Sequence, residues 1–245
     1  MPGRSFQLIY ILPNLFTAAS IFTAVLAIVS AVQGDYEKSA WLIFLSLLFD
    51  GLDGRIARLT HTTSRFGVEF DSLADIVAFG VAPAILIYFF VGQSYGRFGI
   101  LVMALYIIFG AVRLARFNVM SPKTDPTVFI GVPIPMAAIF VSIWVLMFER
   151  YQILEGYRWL LLVAVLLISL LMVSNIRYPS FKKINLERPI VTKALILLII
   201  VASLIYLYPV EGFTLLVSLY IVWGIGRALY TLMTKRRLRS SHDME

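Results

Sequence analysis

The chain has no cysteine and only two histidines, His61 and His242, among 245 residues. The first absence excludes disulfides, thiolate catalysis and Cys-ligated metal, and two distant imidazoles are too few for a zinc site. Charge is scarce as well: 14% of the residues are Asp, Glu, Lys or Arg, against 60% hydrophobic. With a mean hydropathy of +0.88, the chain reads as a membrane protein. Once the apolar runs are subtracted, no stretch is left that could form a soluble domain of ordinary size. There is no internal repeat, heptad run or low-complexity segment.

The apolar runs fall at roughly 15–32, 38–58, 67–91, 97–117, 129–148, 158–176, 190–208 and 212–234, each long enough to cross a bilayer as a helix. The expected fold is therefore all-α, a polytopic bundle of about eight transmembrane helices forming one domain over residues 1–245. Within it we distinguish a core at 13–136, additional spans at 137–234 and a basic tail at 235–245. The short run Leu8–Leu12, interrupted by Pro13 and Asn14 with no convincing cleavage site after it, is expected to be retained as an interfacial helix ending at Pro13. The net charge of +7 does not point to nucleic acid, because alternating the spans puts seventeen of the 21 basic residues on one side. Only Lys38, Arg97, Arg150 and Arg158 fall on the other. That asymmetry predicts a multi-pass cell-membrane protein with both termini in the cytoplasm. The loop from Asn175 to Lys193 is basic and suits anionic headgroups.

Acidic residues are few, yet five of fourteen crowd between Asp50 and Asp75, where two apolar runs meet. A charge in a membrane helix costs roughly 2.5–3.5 kcal/mol on insertion scales, so converging carboxylates repel one another unless cations sit among them. Asp50 and Asp53 are three apart, and Asp71 and Asp75 four apart, so each pair lies on one face of its helix. Leu59 to Arg65, rich in Thr and Ser, can turn the chain and bring the pairs together. Oxygen ligands without His or Cys suit Mg²⁺ or Mn²⁺, and Ca²⁺ fits the same donors. Four carboxylates can hold two ions about 3.5–4 Å apart for displacement at phosphorus. Glu69, two residues before Asp71, points elsewhere, toward a nearby Arg or an acceptor pocket.

The string Asp50-x2-Asp53-Gly54-x2-Ala57-Arg58-x8-Gly67-x3-Asp71-x3-Asp75 resembles the signature of the CDP-alcohol phosphotransferases at all eight fixed positions. The resemblance implies an integral membrane enzyme that moves a substituted phosphate from a CDP-linked donor to an alcohol and releases CMP. It implies metal ligation by Asp50, Asp53, Asp71 and Asp75, with Asp75 also the catalytic base. Gly54 and Ala57, one turn apart, leave a groove without side-chain bulk for the cytidine diphosphate. Arg58 fills the motif's Arg position, suited to phosphate or to a motif carboxylate. Gly67 permits close approach of the two helices or of the donor. Pro13-Asn14-Leu15-Phe16-Thr17 is similar to an opening found in the family, in which Asn14 and Thr17 lie near the nucleotide; a helix cap is the plainer reading of Asn14.

Further on, Arg113-Leu114-Ala115-Arg116-Phe117-Asn118, the later Phe129-x-Gly131-x-Pro133-x-Pro135, and Asp71-Ser72-Leu73-Ala74-Asp75 resemble the phosphatidylserine synthase branch. That resemblance implies CDP-diacylglycerol as donor, L-serine as acceptor, and Arg113, Arg116 and Asn118 as acceptor contacts. A guanidinium fork binds a carboxylate, though the same arginines suit the phosphate of glycerol 3-phosphate or inositol phosphate. Snorkelling at the membrane edge would also explain them, and the two prolines have a sufficient reading as the start of a helix. Family likeness further implies a homodimer in contact with membrane lipid. A divalent-cation transporter is the rival of another class, but the carboxylates cluster at one end and the far halves of their spans offer no polar continuation.

Overall fold

In the computed structural model, residues 4–60, 62, 64–120, 128–174, 176–179, 199, 201–203 and 205–242 are described. Their elements are α1 (Arg4–Val32), α2 (Tyr36–Leu59), α3 (Arg65–Asp75), a π-helical turn (Ile76–Val81), α4 (Ala82–Phe90) and α5 (Arg97–Met120). They continue through β1 (Val128–Ile130), α6 (Ile134–Arg150), α7 (Arg158–Val173), β2 (Arg177–Pro179) and α8 (Pro209–His242). The expected helical architecture is present, with one addition. β1 and β2 form an antiparallel pair in which Phe129 faces Tyr178, tying the segment before α6 to the segment after α7.

Five described helical segments are long and apolar enough to cross a membrane: Ile11–Val32, Arg65–Phe90, Arg97–Met120, Gln152–Val173 and Pro209–Gly226. α2 falls short by composition, since it carries Asp50, Asp53, Arg55 and Arg58, and α6 by length, at 17 residues. The seventh expected span, 190–208, and the basic loop Asn175–Lys193 lie largely outside the described residues. Outward side chains such as Leu15, Phe22, Leu167 and Leu215 are more than half exposed, as they must be in a bundle whose solvent is lipid.

One expectation is overturned at the start of the chain. No separate helix ends at Pro13; α1 runs unbroken from Arg4 through Pro13 to Val32. Proline removes one N–H and crowds the preceding turn, and here the helix absorbs both. The prolines before α6 behave as read from the sequence: Pro133 is the N-cap and Pro135 lies in the first turn, where a missing N–H costs nothing.

α1 and α2 form the most extensively packed helix pair. Their shared face carries small residues: Ala24, Ala27, Ala31 and Ala40 are fully buried, so the backbones approach closely. Hydroxyls cross the seam. Ser46 Oγ donates to Ser20 O at 2.7 Å, Ser20 Oγ donates to Ser46 O at 3.1 Å, and Thr23 Oγ1 lies 2.8 Å from Ser46 Oγ. These bonds fix the register of the two helices, and that register decides what stands opposite Asp53.

The π turn has a local cause. Pro83 has no N–H to give the carbonyl four residues back, that of Phe79. Tyr106 of α5, fully buried, supplies the hydrogen bond instead, its hydroxyl donating to Phe79 O at 3.2 Å. The widened turn begins at the residue after Asp75, and such turns re-aim the side chains beside them. Gly99 packs so tightly on the Gly92 backbone that any Cβ would collide, which closes the far end of α4 on α5.

Candidate active site

The site is built where α2 ends and α3 begins. Thr60 closes α2, with its hydroxyl donating to Ile56 O at 2.7 Å, and Thr62 N–H reaches back to Ala57 O at 3.0 Å. Ser64 then caps α3, accepting from Gly67 N–H at 3.0 Å. Capping at both ends reverses the chain within a few residues, as the Thr/Ser-rich stretch predicts. His61 and Thr63 lie outside the described residues.

The reversal brings carboxylates from both helices into one volume. One oxygen from each of Asp50, Asp53 and Asp71 lies within 4.8 Å of the others. Asp75 stands beside this trio, with its carboxyl in hydrogen-bonding contact with that of Asp50. Asp53 is nearly buried and strongly oriented: Thr17 Oγ1 of α1 donates to its Oδ2 at 2.6 Å, and Gly54 N–H donates to the same carboxylate. Two cationic side chains lie near enough to act on the group, Arg58 on Asp53 and Arg113 on Asp75. Acidic side chains outnumber them, all the ligands are oxygen, and like charges at this spacing repel, so the trio fits a hard divalent cation. Glu69 is exposed and outside the trio.

A cleft of about 210 Å³ opens on the cluster. Its walls include all seven residues predicted for the donor, Asn14 and Thr17 from α1, Asp53, Gly54, Ala57 and Arg58 from α2, and Gly67 from α3. The glycines are there for room. A Cβ on Gly67 would stand 3.2 Å from Ser64 Oγ, crowding the cap of its own helix, and in ordinary contact with Asn14 Oδ1 at 3.5 Å. At Gly54 the guanidinium of Arg58 folds back to within 3.9 Å of where a Cβ would be, so the backbone beneath it lies open to a ligand. Thr62, Ser64 and Val68 also line the cleft, and the sequence reading missed them. The Ser64-x-x-Gly67 cap was the available signal for one.

The three predicted acceptor residues have different contacts. Arg113 is buried, its Nε has no hydrogen-bond partner, its guanidinium lies 5.4 Å from the Phe117 ring centre, and its charge acts on Asp75. Arg116, one turn on, turns to the end of α7 and donates to Val173 O at 2.9 Å, Ser174 O at 3.1 Å and Met172 O at 3.3 Å. Asn118 Nδ2 donates to Ser72 Oγ at 2.9 Å. Arg113 and Arg116, three apart on α5, thus meet different neighbours.

The family model described as CDP-alcohol phosphatidyltransferase matches residues 10–171, which contain the whole cluster and its cleft. The chain belongs to this family. Among curated relatives it is 49% identical over 226 residues to the CDP-diacylglycerol–serine O-phosphatidyltransferase of Helicobacter pylori (strain ATCC 700392 / 26695), spanning 92% of this chain and 94% of that one. A protein of the same name from Methanocaldococcus jannaschii is 34% identical, over 90% of this chain and 96% of its own. The archaetidylserine synthase of Methanothermobacter thermautotrophicus is 36% identical over 69% of each chain. Similarity to the first two extends well past residue 171, into the spans beyond the family model.

Proposed function

We propose that this family member transfers the phosphatidyl group of CDP-diacylglycerol to L-serine, giving phosphatidylserine and CMP. The observation that carries the reading is the single cleft in which the seven donor residues meet Asp71 of the carboxylate trio. The names of the full-length relatives supply the acceptor. The cytidine diphosphate lies along Gly54 and Ala57, with Arg58 on its phosphates and Asn14 and Thr17 at its edge. Asp50, Asp53 and Asp71, with Asp75 adjoining, would hold two Mg²⁺ or Mn²⁺ ions. Bound there, such ions neutralise the diphosphate and polarise the phosphorus to be attacked.

Arg113 is the acceptor contact, with an unpartnered Nε and a charge that acts on Asp75, and the serine carboxylate is its ligand. Asp75 takes the proton from the serine hydroxyl. A bond forms between that oxygen and the phosphorus bearing the diacylglycerol, the bond from this phosphorus to the CMP oxygen breaks, and CMP leaves with the electron pair. The chain forms one integral membrane domain of about eight spans, with both termini and the site on the cytoplasmic face of the cell membrane. Family likeness makes the assembly a homodimer.

CMP release by purified protein, compared with serine, glycerol 3-phosphate and inositol phosphate, tests the reading. Serine alone should support release. Turnover with glycerol 3-phosphate and none with serine would overturn the acceptor. Orientation is tested by single cysteines placed at Thr60 and Ser94 in this cysteine-free chain, since both positions are exposed and lie on either side of the span Arg65–Phe90. An impermeant maleimide applied from outside intact cells should label Ser94→Cys and spare Thr60→Cys.

A further inference from the structure

The end of α7 needs donors. The last carbonyls of any helix lack intrahelical partners, and no glycine follows Val173 to wrap them; Ser174 is extended, with φ −65° and ψ 157°. Three side-by-side carbonyls are instead met by one planar guanidinium, that of Arg116. A cation at a helix C-terminus also complements its dipole. The backbone leading into α6 lands on the same spot. Val132 N–H donates to Leu171 O at 3.3 Å and Gly131 N–H to Ile176 O at 2.8 Å. Gly131, at φ +75°, lies so near Met172 O that no Cβ would fit. α5, α6 and α7 are thus pinned at a single point. Two residues after Arg116, Asn118 holds Ser72, which lies on α3 between Asp71 and Asp75.

We propose that Arg116 and Asn118 are positioning residues, a clamp from the end of α5 to α7 and to the carboxylate helix α3, and that acceptor specificity rests on Arg113 alone. This rests on the serine reading above. If Arg116 left for a substrate carboxylate, the carbonyls of Met172 to Ser174 would lose the donors it gives them. Arg113 gives up no such bond from Nε.

The test separates KM from kcat. Arg113→Lys should raise the serine KM at least tenfold and leave the donor KM unchanged. Arg116→Lys, whose ammonium cannot span three carbonyls, should lower kcat and the melting temperature while the serine KM stays within twofold. An increase in serine KM for Arg116→Lys as large as that for Arg113→Lys would overturn the proposal. A double-mutant cycle of Asn118→Ala and Ser72→Ala, read on kcat and on melting temperature, covers the case in which the Arg116 variant fails to fold. If Asn118 acts through Ser72, the double variant should be no worse than the poorer single one. Additive losses accompanied by a raised serine KM in Asn118→Ala would overturn its part. A wild-type protein that releases CMP with another acceptor and not with serine refutes the serine assignment alone, and the same comparisons are then read on that acceptor's KM.

Discussion

The two ends of the bundle treat acidic side chains in opposite ways. At the end where α6 meets α7 and α8, acids are matched by arginines: Arg150 lies 3.4 Å from Glu211, and Arg158 lies 3.7 Å from Glu149 and 3.4 Å from Glu155. Arg158 also sits over the Phe90 ring at 4.6 Å, and Tyr151 donates to Glu211. At the other end Asp50, Asp53 and Asp71 converge within 4.8 Å, Asp75 adjoins them, and only Arg58 and Arg113 offset their charge among the described residues. Matched pairs at a polar edge tie helices together and contribute little energy each. A surplus of convergent carboxylates costs stability unless cations are supplied from outside. The difference marks one end as architecture and the other as a binding site.

Four substitutions or treatments sharpen that contrast. The largest effect is expected from Asp75→Asn, which removes the proposed base and should lower CMP release by about 10²–10⁴-fold, as loss of a general base does, in protein that still binds CDP-diacylglycerol. Turnover near wild type would remove Asp75 from that role. Next, EDTA should abolish activity and Mg²⁺ or Mn²⁺ restore it. The same ions should raise the melting temperature of the wild type and not of Asp53→Asn, measured in detergent. Full turnover in EDTA would break the contrast at its base. Thr17→Val removes the 2.6 Å hydrogen bond to Asp53. A hydrogen bond to a charged group contributes about 1.5–3 kcal/mol, so a drop in kcat/KM of roughly 10–100-fold is expected. The smallest effect belongs to the far end: Glu211→Gln breaks a half-exposed pair and should change stability by about 1 kcal/mol or less, with CMP release within twofold of wild type.

Much of the cleft lining is legible in the sequence because it is local. Four of its seven predicted residues, Asp53, Gly54, Ala57 and Gly67, lie within four positions of a motif aspartate, and Arg58 follows Gly54 by one helical turn. Thr17 was placed near the nucleotide by resemblance; the structure adds that it is hydrogen-bonded to Asp53, a contact across 36 positions of sequence. The stripe Thr17, Ser20, Ala24, Ala27 and Ala31 recurs at intervals of three and four, a small-residue pattern that could have suggested the α1–α2 seam. Pro13 misled, because proline's local cost was read as a stop where a long helix absorbs it. At the far end only Glu155 and Arg158, three apart, have a spacing that announces a pair; Arg150–Glu211 and Arg158–Glu149 join different helices and could not be read locally.

By itself the sequence determined the apolar lengths that must cross a bilayer, the two helical faces that carry aspartates, and the turn between them. These follow from periods of 3.6 residues and from the cost of charge in hydrocarbon, both of which act within a single segment. Only the tertiary structure decided that Arg113 and Arg116 part company, that Tyr106 completes the π turn after Asp75, and that Asp53 leans on Thr17. A hydrogen bond belongs to two groups, and which partner a side chain finds depends on the helix that packing sets opposite it.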